Sequence, residues 1–366
     1  KDQDQLMGSR YEKGLSLVEL MISLAIGSLI TAGIVQLYTA NSATYGLVLG
    51  QSRMQESARF ALAFISRDVQ RAGYRGCFSS NSQLHWTISN PANLPYEFDL
   101  RSGLEGYNGA AGGNWSPSLN AIPASSQGFV AGTGIDRSSI VSGTDVLTLR
   151  NIVQQTVGNR LSVPMPTSRE PIEIVAPPDG VGGLGFNDGD LALIHDCEKA
   201  TIFHVAGGVP GSGIDTATAA PNYLINHSLA PAASWRNDFL TLAVKNTFGT
   251  DAAVSGIETH TYFIAPGNAQ NAGGIVPLSL WRKSGTSVPI ELVEGIEDLQ
   301  LLFGVSTTGD AVPNQYLSAN LVADWTAVKT VRVTVVANTV EDVGANSSDG
   351  LIRRAFTQTI MLRNSG

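Results

Sequence analysis

Three features could support covalent or ionic chemistry: a Gly14-Leu15 pair, a single acid at Glu19, and two cysteines, Cys77 and Cys197. Glu19 is the only charged residue between Leu15 and Leu37. A charge near the end of a membrane helix costs roughly 2.5–3.5 kcal/mol at worst and calls for a partner. In an oxidising compartment the two cysteines read first as one disulfide, closing a loop of about 120 residues. Such a cross-link contributes roughly 4–5 kcal/mol in the chain-entropy model. The alternative is two buried free thiols. No metal site is expected, because no His or Cys lies near them at ligand spacing. Asp188-Gly-Asp190 could give calcium oxygen ligands but also reads as an ordinary turn before a strand.

Enzymatic constellations are missing from the pattern. Gly180-Val-Gly-Gly-Leu-Gly185 fits the dinucleotide-binding spacing, but Pro177-Pro178 precede it and Phe186-Asn-Asp-Gly-Asp190 follow, so a turn is the better account. There is no phosphate-binding Gly-Lys-Ser/Thr loop and no Gly-x-Ser-x-Gly elbow. The histidines at 85, 195, 204, 227 and 260 are dispersed. His195 is adjacent to Asp196 and close to Cys197, but neighbouring strand residues face opposite ways, which argues against a Cys–His couple. No enzyme and no cofactor are expected.

The elements that must position these residues begin with an apolar run of about 23 residues from Leu15, long enough to cross a bilayer as a helix. Arg10 and Lys13 before it place that end in the cytoplasm and the rest of the chain outside. Met7 can start translation and would give a leader of Met7 to Gly14. A signal peptide cut at Ala40-Asn41-Ser42-Ala43 is the competing reading, and it leaves Glu19 without a purpose. Beyond the membrane, Met54, Ala58, Ala61, Ile65, Val69 and Ala72 recur at steps of three and four, one face of a helix. Arg53, Glu56, Arg59, Arg67, Asp68 and Arg71 mostly lie elsewhere. Gly73 is a candidate C-terminal stop, and Gly46 and Gly50 are places where the helix could bend or unwind.

The 366 residues leave over 300 after this helix, ample for a sizeable core. Charged residues are 15% and glycines number 39, which suits an exported, loop-rich β protein. The net charge of −8 argues against direct nucleic-acid binding, which rests on cation–phosphate neutralisation. Residues 79–140 are rich in Ser, Asn, Gly and Pro. Their aromatics, Trp86, Tyr96, Phe98, Tyr107 and Trp115, read as packing on the core ahead of exposed contacts. Strand composition dominates later: 145–153, 171–176, 190–196, 200–206, 239–244, 257–265, 277–283, 296–303, 328–337 and 351–363. The clearest is Val331-Arg-Val-Thr-Val335, alternating with period two. The fold class is α+β: a long N-terminal helix packed on an antiparallel β-sheet domain with long loops. The segments are a leader (1–14), a transmembrane helix (15–38), an amphipathic continuation (39–73), a loop-rich stretch (74–143) and the β domain (144–366).

Gly14, a cut point, and an acid on the fifth residue after it resemble the class III signal of type IV prepilins, with Leu15 where Phe is usual. Further segments resemble the minor pilin family called PilW: Ala72-Gly-Tyr-Arg-Gly-Cys77, Ile194-His-Asp-Cys197 with Ala200-Thr-Ile-Phe203, and Ser279-Leu-Trp-Arg282. So do Val293-Glu-Gly-Ile-Glu-Asp-Leu299, Trp325 to Val333, and Ile360-Met-Leu-Arg-Asn364. The resemblance implies cleavage by a prepilin peptidase at Gly14–Leu15, N-methylation of Leu15, and docking through Glu19 onto a neighbour's amine. It implies a subunit that primes type IV pilus assembly at or near the tip, with other minor pilins, the major pilin and a large tip adhesin as partners. Twitching motility, adhesion and DNA uptake depend on that machine. The expected location is the inner membrane, single-pass with the N terminus cytoplasmic, then the pilus or cell surface. The alternatives are the related J-type minor pseudopilin of type II secretion, and a tip-located adhesin or DNA-binding module using residues 79–140.

Overall fold

The computed structural model describes residues 16–77, 84–86, 96–119, 137–153, 159–175, 191–205, 214–215, 222–227, 246–285 and 287–364. One helix, α1 (Leu17–Arg71), leads into the strands. In chain order these are β1 (Leu84–Trp86), β2 (Leu104–Ala110), β3 (Asn114–Ser116), β4 (Val146–Val153), β5 (Ile172–Val175), β6 (Leu191–His195), β7 (Ala200–His204) and β8 (Ile214–Asp215). They continue with β9 (Asn222–Ile225), β10 (Ala253–Pro266), β11 (Leu278–Ser284), β12 (Ile290–Glu294), β13 (Ile296–Val305), β14 (Gln315–Leu317), β15 (Val328–Asn338) and β16 (Arg353–Met361). The segment 239–244, expected as a strand, lies outside the described residues, as do Gly180–Gly185 and Asp188–Asp190.

At 55 residues, α1 is about 80 Å long at ~1.5 Å per residue. A capping box starts it: the Glu19 N–H donates to Ser16 Oγ at 3.1 Å, and the Ser16 N–H donates to Glu19 Oε2 at 2.9 Å. The helix continues through Gly46 and Gly50 without unwinding. At Gly50 the absent side chain serves close packing, since a Cβ there would lie 2.9 Å from Val343 Cγ1. The helix stops where Gly73 takes φ +74°, a left-handed conformation that L side chains disfavour.

The strands form three sheets, and α1 packs on two of them. The rear of α1 lies on a four-stranded antiparallel sheet ordered β14-β13-β15-β16. Met54, Ala58, Ala61, Ile65, Val69 and Ala72, the face expected from spacing, are buried with Leu299, Leu301, Phe303, Val331, Val333, Val335 and Ile360. A nine-stranded sheet runs β1-β7-β6-β10-β4-β2-β3, with β11 on β10 and β12 on β11. A three-stranded sheet, β5-β9-β8, completes the set. Ile172, Ile174 and Ile225 of the small sheet share a core with Ala192, Ile194 and Phe203. Leu191, Leu193 and Ile202, the alternate residues of β6 and β7, pack with Leu84, Leu100 and Ile152.

The long β10 is the spine of the large sheet. Its first part, Ala253–Gly256, pairs with β6, and its last part, His260–Pro266, pairs with β11. Strand β4 takes the opposite edge from Gly256 to Tyr262. Asp145 stitches this sheet to the helix-bearing one. Its carboxylate accepts the Leu301 N–H at 2.8 Å and the Gly109 N–H at 2.9 Å. Burial raises its pKa, and the two backbone N–H groups oppose the shift. Gly106 leaves room at the seam: a Cβ there would lie 2.4 Å from Phe303 Cζ.

The sheets are not wholly antiparallel. Strand β1 pairs with β7 in parallel, Leu84 opposite Ala200. Both strands follow a cysteine in sequence, and Cys77 and Cys197 are joined in a disulfide, with Cα atoms 4.7 Å apart.

Candidate functional site

The functional parts lie along α1 and at its junction with the sheets. Gly14 and Leu15 fall outside the described residues. Glu19 sits in the first turn of α1, with Oε2 engaged by the Ser16 N–H. From Leu17 to Leu37 the large apolar side chains are exposed, Leu17 by 74%. None of the described residues covers this half, so its apolar surface calls for lipid or other helices. Among the described residues, α1 is the one helix long and apolar enough to cross a membrane.

The rear of α1 carries an anchoring cluster. Asp68 is 3% exposed and faces β10 and β11. Its Oδ2 accepts from His260 Nδ1 at 2.6 Å and from the Tyr262 hydroxyl at 2.5 Å, with Arg282 Nη1 at 3.9 Å. His260 Nε2 meets Glu258 Oε1 at 3.1 Å. Burial opposes the charge on Asp68, but the bonds from His260 and Tyr262 prevail and hold its pKa below the usual value. Burial likewise works against the imidazolium of His260, and Asp68 and Glu258 outweigh it, so its pKa is raised. Hydrogen bonding from His260 also lowers Glu258. The cluster is a charged clamp between helix and sheet.

Sequence reasoning placed Asp68 off the buried face, and the structure corrects this. Met54, Ala58, Ala61, Ile65, Asp68 and Ala72 keep a 4-3-4-3-4 spacing, so the acid sits in the apolar stripe. His260 and Tyr262 are two apart on β10 and therefore share a face. That pairing of an acid in a buried helical stripe with a His-x-Tyr strand was the available signal.

At the disulfide, Gly76 takes φ +87°, and a Cβ on it would lie 2.7 Å from His195 Cε1. Burial pushes the His195 pKa down to about 4, and its Nε2 lies 2.9 Å from Ser255 Oγ. With Cys197 cross-linked, His195 is a neutral packing residue. Among the described residues no three His, Cys, Asp or Glu side chains gather as a metal site. Tyr107 is buried, and Trp115 donates Nε1–H to the Thr144 carbonyl at 2.8 Å, so these two aromatics belong to the core.

Comparison with curated proteins and with solved structures gives no match. Two family models do match. Residues 9–35 match the prokaryotic N-terminal methylation motif. Residues 261–364, from mid-β10 to beyond β16, match PilW, described as type IV pilus-assembly protein W. The second match covers most of the sheet under α1 and includes Tyr262 and Arg282 of the clamp. These matches point to a structural pilus component associated with the membrane. One at each end of a helix-on-sheet frame, they support a PilW-type minor type IV pilin.

Proposed function

We propose that this subunit helps prime type IV pilus assembly and sits at or near the pilus tip, where it supports twitching motility, adhesion or DNA uptake. The observation that carries the reading is α1 itself, bare and apolar in front and clamped to a folded head behind. Such a helix is stored in the inner membrane, N terminus cytoplasmic, and is withdrawn into a bundle of like helices at the fibre. Other minor pilins and the major pilin would supply those helices, and a large tip adhesin would sit above them. A prepilin peptidase would cut between Gly14 and Leu15, and the new amine of Leu15 would be methylated. Mass analysis of the mature N terminus should find methyl-Leu15, and Gly14→Val should leave the leader attached. A mature chain starting near Ala43 would overturn this processing.

Glu19 is assigned the docking role. Oε2 serves the capping box, and a carboxylate has further acceptor sites for the amine of a neighbouring subunit. Having this acid, the chain would dock beneath at least one other subunit. Glu19→Gln keeps a side chain able to close the capping box while removing the charge. Co-purification of full-length minor pilins from membranes is expected to fall at least tenfold in Glu19→Gln and Glu19→Ala alike, with processing intact. Wild-type recovery in Glu19→Gln would reduce Glu19 to a helix cap.

A further inference from the structure

A groove of about 810 Å³ lies along β12. Its walls include Trp281, Val288, Ile290, Glu291, Leu292 and Glu294. Its volume falls in the upper part of the roughly 300–1,000 Å³ typical of ligand sites. We propose that this groove is a binding site for an extended segment of another polypeptide in which basic and apolar residues alternate.

Four observations define the occupant. First, β12 hydrogen-bonds to β11 alone among the described strands, so its other edge is available for strand addition. Second, Val288 and Ile290 stand 57% and 48% exposed at the rim, an apolar surface that an added strand's side chains would cover. Third, the groove is acidic without compensation. Glu291 accepts from the Asn268 N–H and from Ser279 Oγ, Glu341 nearby accepts from the Ala272 N–H, and no Lys or Arg among the described residues pairs with Glu291, Glu294 or Glu341. Partial burial, then the charges of Glu291 and Glu341, push the Glu294 pKa up, as expected where a cation is wanted. Fourth, Trp281 is 3% exposed and its buried Nε1–H has no acceptor among the described residues. A buried donor without a partner is costly, and a backbone carbonyl of an added chain would satisfy it. Period-two alternation places a basic side chain toward the glutamates and an apolar one toward the rim. None of these observations enters the pilus assignment.

The test uses full-length protein in detergent micelles and two dye-labelled probe peptides, a Lys-Val alternating nonamer and its Glu-Val counterpart, read by fluorescence anisotropy. The Lys-Val peptide is expected to bind, more weakly as salt rises, and the Glu-Val peptide is not. Glu294→Lys, at an exposed position, should weaken the Lys-Val peptide at least tenfold. Trp281→Phe keeps a ring but removes the donor, and should weaken it severalfold. In ¹⁵N-tryptophan-labelled protein, the indole signal absent from Trp281→Phe should shift on addition of the peptide. Equal binding of both peptides, or unchanged affinity in Glu294→Lys, would overturn the proposal. So would self-association abolished by Glu294→Lys, since the occupant would then be a second copy of this chain.

Discussion

Cys197→Ser is expected to lower the unfolding free energy of the head by roughly 4–5 kcal/mol, the chain-entropy value for a loop of this length. The cross-link joins positions 120 residues apart. The parallel pairing it organises is three residues long, Leu84–Trp86 against Ala200–Ile202. So short a strand at a sheet edge does not hold without support. Leu84 of this strand packs in an apolar cluster with Leu100, Leu191, Leu193 and Ile202. Gly76 and His195 fit closely beside the bridge, so the fold is built around the oxidised form. Urea unfolding of detergent-solubilised full-length protein would measure the effect. Cys77→Ser, Cys197→Ser and the double variant should agree within about 1 kcal/mol, because each removes the same constraint. A loss below about 1 kcal/mol in all three would show that the surrounding packing, and not the cross-link, holds this edge.

The sequence was most informative where a period is long and one face is buried. The α1 stripe from Met54 to Ala72 recurs over five turns, so the apolar residues of its buried face were readable, though not Asp68 among them. Strands β4, β5, β6, β7, β10, β11, β13, β15 and β16 were placed within a few residues, since each has strand composition. Strands β1, β2, β3, β8, β9, β12 and β14 were not, for a physical reason. Leu104-Glu-Gly-Tyr-Asn-Gly-Ala110 has poor strand propensity, and its glycines serve close approaches to Phe303 and to the Thr144 backbone. The pairing of β2 with β4 is a tertiary fact that no local pattern carries. The parallel β1–β7 pair likewise joins residues far apart in sequence, next to a cross-link between distant residues. For the functional residues, Glu19 stood out because a lone charge in an apolar run is conspicuous. Asp68 did not, because a charged residue on an otherwise polar-faced helix looks ordinary until its partners on β10 are known.

Asp68→Ala should destabilise the joint between α1 and the head by about 3–5 kcal/mol, the range for removing one partner of a buried charged pair. The loss comes from what remains. Without Asp68, the imidazole of His260, the hydroxyl of Tyr262 and the nearby Arg282 lose their common acceptor. Asp68→Asn keeps an acceptor oxygen and should cost less, which separates charge from shape. The effect depends on pH with a defined sign. His260 has a raised folded pKa, so its contribution is complete below the unfolded value near 6.5 and fades as pH rises through the folded one. Asp68 and Glu258 have lowered folded pKa values, so theirs is complete above the unfolded values near 4–4.5 and fades as pH falls through the folded ones. The clamp is therefore strongest between about pH 4.5 and 6.5 and weaker in alkali. The stability difference between wild type and Asp68→Ala, measured by urea unfolding, should be larger at pH 5.5 than at pH 9. A difference independent of pH would mean that His260 does not carry its proton in the clamp. In cells, the processed Asp68→Ala subunit should keep its membrane helix while its head becomes more susceptible to proteolysis, since the clamp joins the apolar stripe in coupling the helix to the sheets behind it.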